Sequence, residues 1–119
     1  MPEATRRSGG CHCGAVRYEV TTELGTVISC NCSICTKKGL LWSFVPRDKF
    51  SVLQGQEELV EYLFNKHAIH HQHCRNCGTE AFAWGIGPGG AEMAAINVRC
   101  LDNIEVDRLT LTRFDGRSA

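Results

Sequence analysis

The sequence predicts one mainly β domain built of antiparallel sheets. Apolar residues alternate with polar ones in several short runs, turn-forming residues separate these runs, and no long helical period occurs. The length of 119 residues suits a single domain. By surface scaling, such a domain would bury roughly 65% of the surface that its unfolded chain exposes. We therefore expect a small core.

The predicted strands follow the alternation along the chain. In the clearest one, the apolar residues Val16, Tyr18 and Val20 alternate with Arg17 and Glu19, which is the pattern of a half-buried strand. The other runs that we expect to form strands are 26–30, 40–45, 51–54, 58–64, 68–74, 79–84, 92–98 and 108–114.

Three segments between or within these runs are predicted separately. Pro46 should end the strand before it, because proline cannot donate to a sheet ladder. Residues 47–50 fit one helical turn. The run at 58–64 fits a strand nearly as well as a helix, and we favour the strand because seven residues are short for a helix.

The two ends of the chain are expected to flank the folded domain. We assign residues 1–7 to a disordered leader, residues 8–114 to the domain and residues 115–119 to a tail. The N-terminus has no apolar stretch of the kind that a signal peptide needs, and no segment approaches the roughly 20 apolar residues of a membrane span. We therefore expect a cytoplasmic location.

The charge balance argues against binding to nucleic acid or to a membrane. The chain has 13 Lys and Arg residues and 13 Asp and Glu residues, so its formal net charge is zero. A neutral protein has no general field to attract a phosphate backbone or an anionic lipid surface. We expect neither class of partner.

Most of the eight cysteines lie in tight clusters. The patterns are Cys-His-Cys at 11–13, Cys-Asn-Cys-Ser-Ile-Cys at 30–35 and Cys-Arg-Asn-Cys at 74–77. Clustered thiols converge on a point, as metal ligands do, whereas disulfide frameworks usually spread their cysteines to link distant loops. Because no signal peptide indicates secretion, we favour zinc over disulfides.

Four of the thiols have the right number to close one tetrahedral zinc site. Cys74 and Cys77, followed by Gly78, have the spacing of a zinc knuckle, and strand alternation would place Cys11 and Cys13 on one face. The same spacings also allow Cys11 and Cys13 to share a metal with Cys30 and Cys32. A structural zinc contributes about 10 to 16 kcal/mol of apparent binding free energy, so its removal should unfold the protein.

Cys30, Cys32 and Cys35 form a second group with one ligand fewer. Three thiolates leave a tetrahedral zinc with one open position, where a substrate could bind. The alternative is a second structural zinc with a fourth protein ligand, for which Cys100 or a histidine is a candidate. Cys100 follows an apolar run, and we favour a role as a small buried hydrophobe. We expect two zinc ions per chain, the second held less tightly.

Several residues near this second group are candidates for contacts with a substrate. Lys37 could attract a carboxylate, and Trp42 could form a wall, although it fits the core better. We regard both Lys37 and Trp42 as candidate substrate-binding residues. For the histidines we expect only a hydrated rim around the metal sites; they stand at positions 12, 67, 70, 71 and 73.

The cysteine blocks, in this order, resemble the glutathione-dependent formaldehyde-activating enzyme family, also called the GFA/CENP-V family. The blocks are GCHCGAVRY at 10–18, CNCSICTK at 30–37 and HCRNCGT at 73–79, and AINVRCLD at 95–102 is similar too. The resemblance implies an Mss4-like fold over about residues 8–114. It also implies a structural zinc on Cys11, Cys13, Cys74 and Cys77 and a catalytic zinc on Cys30, Cys32 and Cys35.

The activity that the resemblance implies is addition of glutathione to formaldehyde, which gives S-(hydroxymethyl)glutathione. The open position could take the thiol or the aldehyde oxygen. Three thiolates leave the site with a net charge of 2 − 3 = −1, which weakens zinc as an acid, so we favour transient binding of the thiol. We therefore expect a carbon–sulfur lyase or synthase that uses a small thiol and a small aldehyde.

Two other functions remain open from the residues alone. The first is a non-catalytic, zinc-stabilised module that binds proteins. The second is a metal or redox sensor, because exposed thiolates at residues 30–35 would oxidise easily. An open coordination position at the three-thiol group would favour the enzyme over the binding module.

Overall fold

Ten strands and one short α-helix carry the fold. The computed structural model of the chain describes residues 5–24, 26–63 and 69–118. The elements in these residues are β1 (Thr5–Gly10), β2 (Arg17–Thr22), β3 (Val27–Cys30), α1 (Ser33–Lys38), β4 (Trp42–Pro46), β5 (Phe50–Gln54), β6 (Leu59–Tyr62), β7 (Ile69–Cys74), β8 (Phe82–Ile86), β9 (Glu92–Asn97) and β10 (Leu111–Phe114).

The strands form two sheets. The smaller sheet has the order β1-β2-β5, and the larger has the order β10-β3-β4-β9-β8-β7-β6. Every pairing is antiparallel except that of β10 with β3, which is parallel. The prediction of a mainly β fold is therefore confirmed, and each predicted run contains a strand whose ends differ by a few residues.

The apolar faces of the two sheets share one core. Tyr18 of β2 is fully buried, and its ring lies 5.3 Å from that of Phe50 on β5 and 6.1 Å from that of Phe82 on β8. Phe50 and Phe82 are themselves 4.7 Å apart. Because these three rings come from both sheets, aromatic packing holds the sheets together.

The first strand begins inside the segment assigned to a disordered leader. Residues 5–7 pair with β2 in a continuous register that runs from Thr5 opposite Thr22 to Gly10 opposite Arg17. Residues 1–4 lie outside the described residues. The assignment of residues 5–7 to a disordered leader is therefore wrong. These residues are polar and show no apolar alternation, so only their backbone pairing identifies them as part of a strand.

The sequence pattern does not predict the helix α1, which spans Ser33–Lys38. It begins after Cys32, and its end is fixed by Gly39, whose φ of 67° is left-handed and whose N–H donates to the Cys35 carbonyl at 2.9 Å. Six residues are too few to show a helical period.

No helix in the described part of the chain is long and apolar enough to cross a membrane.

Candidate metal centres

Four cysteine sulfurs converge at the place where the two sheets meet. The Sγ atoms of Cys11, Cys13, Cys74 and Cys77 all lie within 4.8 Å of one another. Cys11 Sγ is 3.6 Å from Cys13 Sγ, which is 3.7 Å from Cys74 Sγ. A tetrahedral zinc with bonds of about 2.3 Å requires sulfurs about 3.8 Å apart, whereas a disulfide requires about 2.05 Å. This four-thiol cluster therefore fits a zinc ion.

The first two thiols lie in the turn between β1 and β2. The sequence placed Cys11 and Cys13 on a strand face, but that placement was wrong, because the hairpin closes with a hydrogen bond from Cys11 N–H to the Val16 carbonyl. The Val16 N–H in turn donates to Cys11 Sγ at 3.3 Å. The turn, rather than strand alternation, brings the two sulfurs together.

The other two thiols lie on the predicted knuckle after β7. Cys74 ends the strand, and the Gly78 N–H donates to the Cys74 carbonyl at 2.8 Å. Gly78 has a φ of 77°, which favours glycine. The Asn76 N–H donates to Cys74 Sγ at 3.4 Å. Backbone donors directed at sulfur stabilise the thiolate form that a metal requires.

The four thiols do not ionise equally without a cation. Burial opposes ionisation of Cys77, but hydrogen bonds from Thr79 and the backbone lower its pKa to about 5. The Ala15 amide lowers the pKa of Cys13, but burial and three neighbouring sulfurs outweigh it and raise that pKa to about 11. A divalent cation would allow all four to ionise by supplying the missing positive charge.

The second cluster is contained in a short stretch of chain. The Sγ atoms of Cys30, Cys32 and Cys35 lie within 4.8 Å of one another. Cys30 ends β3, Cys32 precedes α1, and one helical turn brings Cys35 back to them. Among residues 5–24, 26–63 and 69–118, no further His, Cys, Asp or Glu side chain joins this three-thiol cluster at that distance.

Hydrogen bonds divide the three-thiol cluster into a more acidic and a less acidic part. Burial opposes ionisation of Cys32, but hydrogen bonds from Cys35, Cys30 and Ile34 lower its pKa. Burial raises the pKa of Cys35 to about 12, although the indole Nε1–H of Trp42 donates to its sulfur at 3.2 Å. A metal that binds here must therefore displace a proton from Cys35.

The C-terminal segment 114–118, most of which was assigned to a tail, packs on the three-thiol cluster. A Cβ on Gly116 would overlap Cys30 Sγ, so a larger residue at this position would displace that sulfur. Asn31 holds the segment, since its side chain donates to Asp115 Oδ1 at 2.9 Å and accepts from the Arg117 N–H at 2.9 Å. No pattern in the sequence predicts this contact.

A buried histidine and glutamate lie beside the three-thiol cluster. His71 Nδ1 is 2.6 Å from Glu80 Oε2, and the Glu80 carboxylate also accepts from Lys38 Nζ at 2.7 Å. The side chains of His71 and Glu80 are only 5% and 1% exposed. The expectation that the histidines form only a hydrated rim is therefore wrong for His71.

The remaining residues that the sequence singled out lie in different parts of the structure. Lys37 is exposed and borders neither of the cavities described below. Trp42 is buried, as the sequence favoured, and also contacts Cys35. Cys100 packs partly buried against the core, joins neither thiol cluster and has a pKa that burial raises to about 11. His67 lies outside the described residues.

Two cavities border the three-thiol cluster, and Cys30, Cys35 and Phe114 line both. The first has a volume of about 510 Å³ and is lined in part by the side chains of Arg99 and Arg113. The second has a volume of about 550 Å³ and is lined almost entirely by apolar side chains. The cluster can thus be approached by a polar and by an apolar molecule.

Comparisons with known proteins agree with this architecture. A family model described as "Glutathione-dependent formaldehyde-activating enzyme" matches residues 6–112 of the chain. A crystal structure of a Rhodobacter sphaeroides protein is 27% identical, with a TM-score of 0.76. The match covers 88% of this chain and 99% of that one.

The four-thiol cluster should be required for folding. We predict that Cys74→Ser loses zinc and the folded state together, because the binding free energy of a structural zinc, about 10 to 16 kcal/mol, equals or exceeds a domain's net stability of about 5 to 15 kcal/mol. Zinc content by mass spectrometry and far-ultraviolet circular dichroism measure the two effects. Cys100→Ser is the control and should keep both. A cooperative thermal transition in Cys74→Ser would contradict the prediction.

The close approach of Gly116 should be required by the three-thiol cluster alone. We predict that Gly116→Ala lowers zinc content from about two ions per chain towards about one, without unfolding, because the added methyl group displaces Cys30 Sγ from the position that a tetrahedral site needs. Arg117→Ala is the matched control and should keep both ions. Equal zinc content in the two variants would show that the segment does not support the cluster.

Proposed function

This chain belongs to the glutathione-dependent formaldehyde-activating enzyme family, and on that basis we propose that it is a zinc-dependent carbon–sulfur lyase or synthase. The reaction that we propose is addition of a small thiol, glutathione, to an aldehyde, for which the family description names formaldehyde. The free thiols of both clusters need a reducing compartment, which supports a cytoplasmic location.

The observation that carries this proposal is the three-thiol cluster at the border of two cavities. Its three sulfurs would hold a zinc ion with one position left open, as far as the described residues extend. A structural zinc normally has four protein ligands, whereas a catalytic one keeps a position for water or substrate. The two cavities give a thiol and an aldehyde separate access to that position.

The polar cavity suits a thiol that carries carboxylates. Arg99 and Arg113 line it, and Asp115 is the acidic side chain in the same lining. Apart from the thiol cluster, two guanidinium groups and one carboxylate leave an excess of one positive charge in this lining. Arg99 is fixed by a hydrogen bond from its Nε to the Gly39 carbonyl at 3.0 Å. The carboxylates of glutathione can pair with these guanidinium groups.

The proposed addition moves one proton. The thiol sulfur forms a bond to the carbonyl carbon, and the carbon–oxygen π bond breaks. The thiol proton is transferred to the carbonyl oxygen. When bound, a zinc ion would supply positive charge that favours the deprotonated thiol. We assign the transfer of that proton to the imidazole of His71, because Glu80 holds the ring in place through Nδ1 and the ring lines the apolar cavity.

Two further contacts keep the site in order. The Trp42 indole N–H donates to Cys35 Sγ, which fixes the direction of that sulfur. The Lys38 ammonium pairs with Glu80, which keeps this carboxylate in place beside His71. The apolar walls of the second cavity offer water few hydrogen-bond partners, which disfavours hydration of an aldehyde bound there.

The first prediction tests the three-thiol cluster. Loss of an outer partner of a metal ligand typically lowers activity about 10- to 100-fold, so Cys35→Ser, which removes a ligand itself, should lower kcat by more than that. The variant should remain folded and keep the zinc of the four-thiol cluster. Steady-state assays and zinc analysis measure both. Full turnover by Cys35→Ser would rule the mechanism out, and Cys100→Ser is the matched control.

The second prediction tests the proton transfer. His71→Ala should lower kcat by about 10²- to 10⁴-fold with little change in the KM for glutathione, because the ring lines the apolar cavity, whereas the glutathione carboxylates are assigned to the polar one. Added imidazole should restore part of the rate by occupying the space beside Glu80. His12→Ala removes an exposed histidine and serves as control. An unchanged kcat, or a loss that imidazole does not relieve, would remove His71 from the mechanism.

A further inference from the structure

We infer that the preferred aldehyde carries a bulky apolar substituent, an alkyl chain or an aromatic ring, and is not formaldehyde. The inference rests on the proposed function, because it names the substrate class of the same site. The supporting observation is the apolar cavity of about 550 Å³, which Cys30, Cys32 and Cys35 all border. A molecule held in this cavity therefore lies beside the three sulfurs that would hold the zinc ion.

The walls of the apolar cavity offer almost nothing to a polar ligand. Trp42 and Trp84 line it, with Phe44 and Ile86 among the exposed residues of the lining. Among the described lining residues, His71 is the one ionisable side chain besides the cysteines. The Trp42 N–H is already used by Cys35. The charged ends of glutathione would lose their hydration here without gaining partners, so the thiol does not belong in this cavity.

The size of the cavity does not match formaldehyde. Small-molecule pockets in proteins typically measure about 300 to 1,000 Å³, and this cavity falls within that range. Formaldehyde has one carbon and no apolar substituent, so it would leave most of the space unfilled. An alkyl or aryl group would instead cover the walls and remove apolar surface from water.

The apolar cavity is lined by half of the large hydrophobic side chains that are exposed on the described surface. Four of the eight exposed large hydrophobic side chains line it, namely Phe44, Ile69, Ile86 and Phe114. Exposed apolar groups that gather around a concave site mark a ligand-binding surface. Their position around the cavity that borders the three-thiol cluster connects them with the proposed reaction.

One wall is held rigidly before any ligand arrives. The Trp84 ring stacks on His70, with ring centroids 3.8 Å apart and an interplanar angle of 3°. His70 Nδ1 is in turn 2.7 Å from Glu61 Oε1. A preformed wall lowers the entropic cost of binding an apolar group. The substituent stays chemically unchanged, since the addition alters only the carbonyl carbon, its oxygen and the thiol.

A series of aldehydes tests the inference through activity. With glutathione as the thiol, kcat/KM should rise from formaldehyde through propanal to hexanal, by about fourfold for each methylene that enters the cavity. Loss of free thiol above the uncatalysed rate measures the reaction. Ile86→Ser should lower the preference for hexanal over formaldehyde by about tenfold. Leu53→Ser, at an equally exposed leucine outside both cavities, should keep it.

Tryptophan fluorescence tests the inference without turnover. The chain has two tryptophans, Trp42 and Trp84, and both line the apolar cavity. Hexanol, which cannot react with a thiol, should change their emission in a saturable manner, whereas methanol should not. Ile86→Ser should weaken the response to hexanol, and Leu53→Ser should leave it unchanged.

The outcomes separate this inference from the proposed function. A kcat/KM that is highest for formaldehyde, or a lack of response to hexanol, would overturn the apolar substrate class and leave the addition reaction standing. If the protein catalyses the addition of glutathione to none of the aldehydes in the series, the proposed function and the inference are both overturned. A rise in kcat/KM with chain length, together with a saturable response to hexanol, would support both.

Discussion

The convergence of four sulfurs between two sheets is the constraint on which the rest of the structure depends. Cys11 and Cys13 belong to the hairpin of the smaller sheet, whereas Cys74 and Cys77 follow a strand of the larger one. A zinc ion held by these sulfurs would therefore fix the sheets to each other. The aromatic contacts of Tyr18 cross the same junction. Together they allow a small core to hold ten strands.

The sequence predicted the parts of the structure that rest on a short repeating pattern. Alternation at Tyr18 and Val20 predicted β2, because one face of that strand is buried in the core. The close spacing of Cys74 and Cys77 predicted their convergence, because a two-residue turn can bring two sulfurs to one point. In both cases neighbours in the chain are also neighbours in the structure.

The parts that the sequence did not predict depend on contacts between distant residues. Strand β1 has polar side chains and is fixed by its pairing with β2. His71 lies on β7, whereas Glu80 lies in the segment that leads into β8, so no spacing along the chain identifies them as a pair. Gly116 reaches Cys30 only because β10 lies parallel to β3. The sequence contains the glycine but gives no indication that it lies against Cys30.

The two thiol clusters differ in how much of the chain they close. Cys13 and Cys74 are 61 residues apart, so a metal between them would close a loop that contains most of the fold. Cys30 and Cys35 are joined by a strand end and one helical turn, so a metal on them would close only a short local segment. An ion that stabilises the fold must stay, whereas one that meets substrates must keep an accessible position. A second ion on a local segment beside two cavities would allow one small domain to satisfy both requirements.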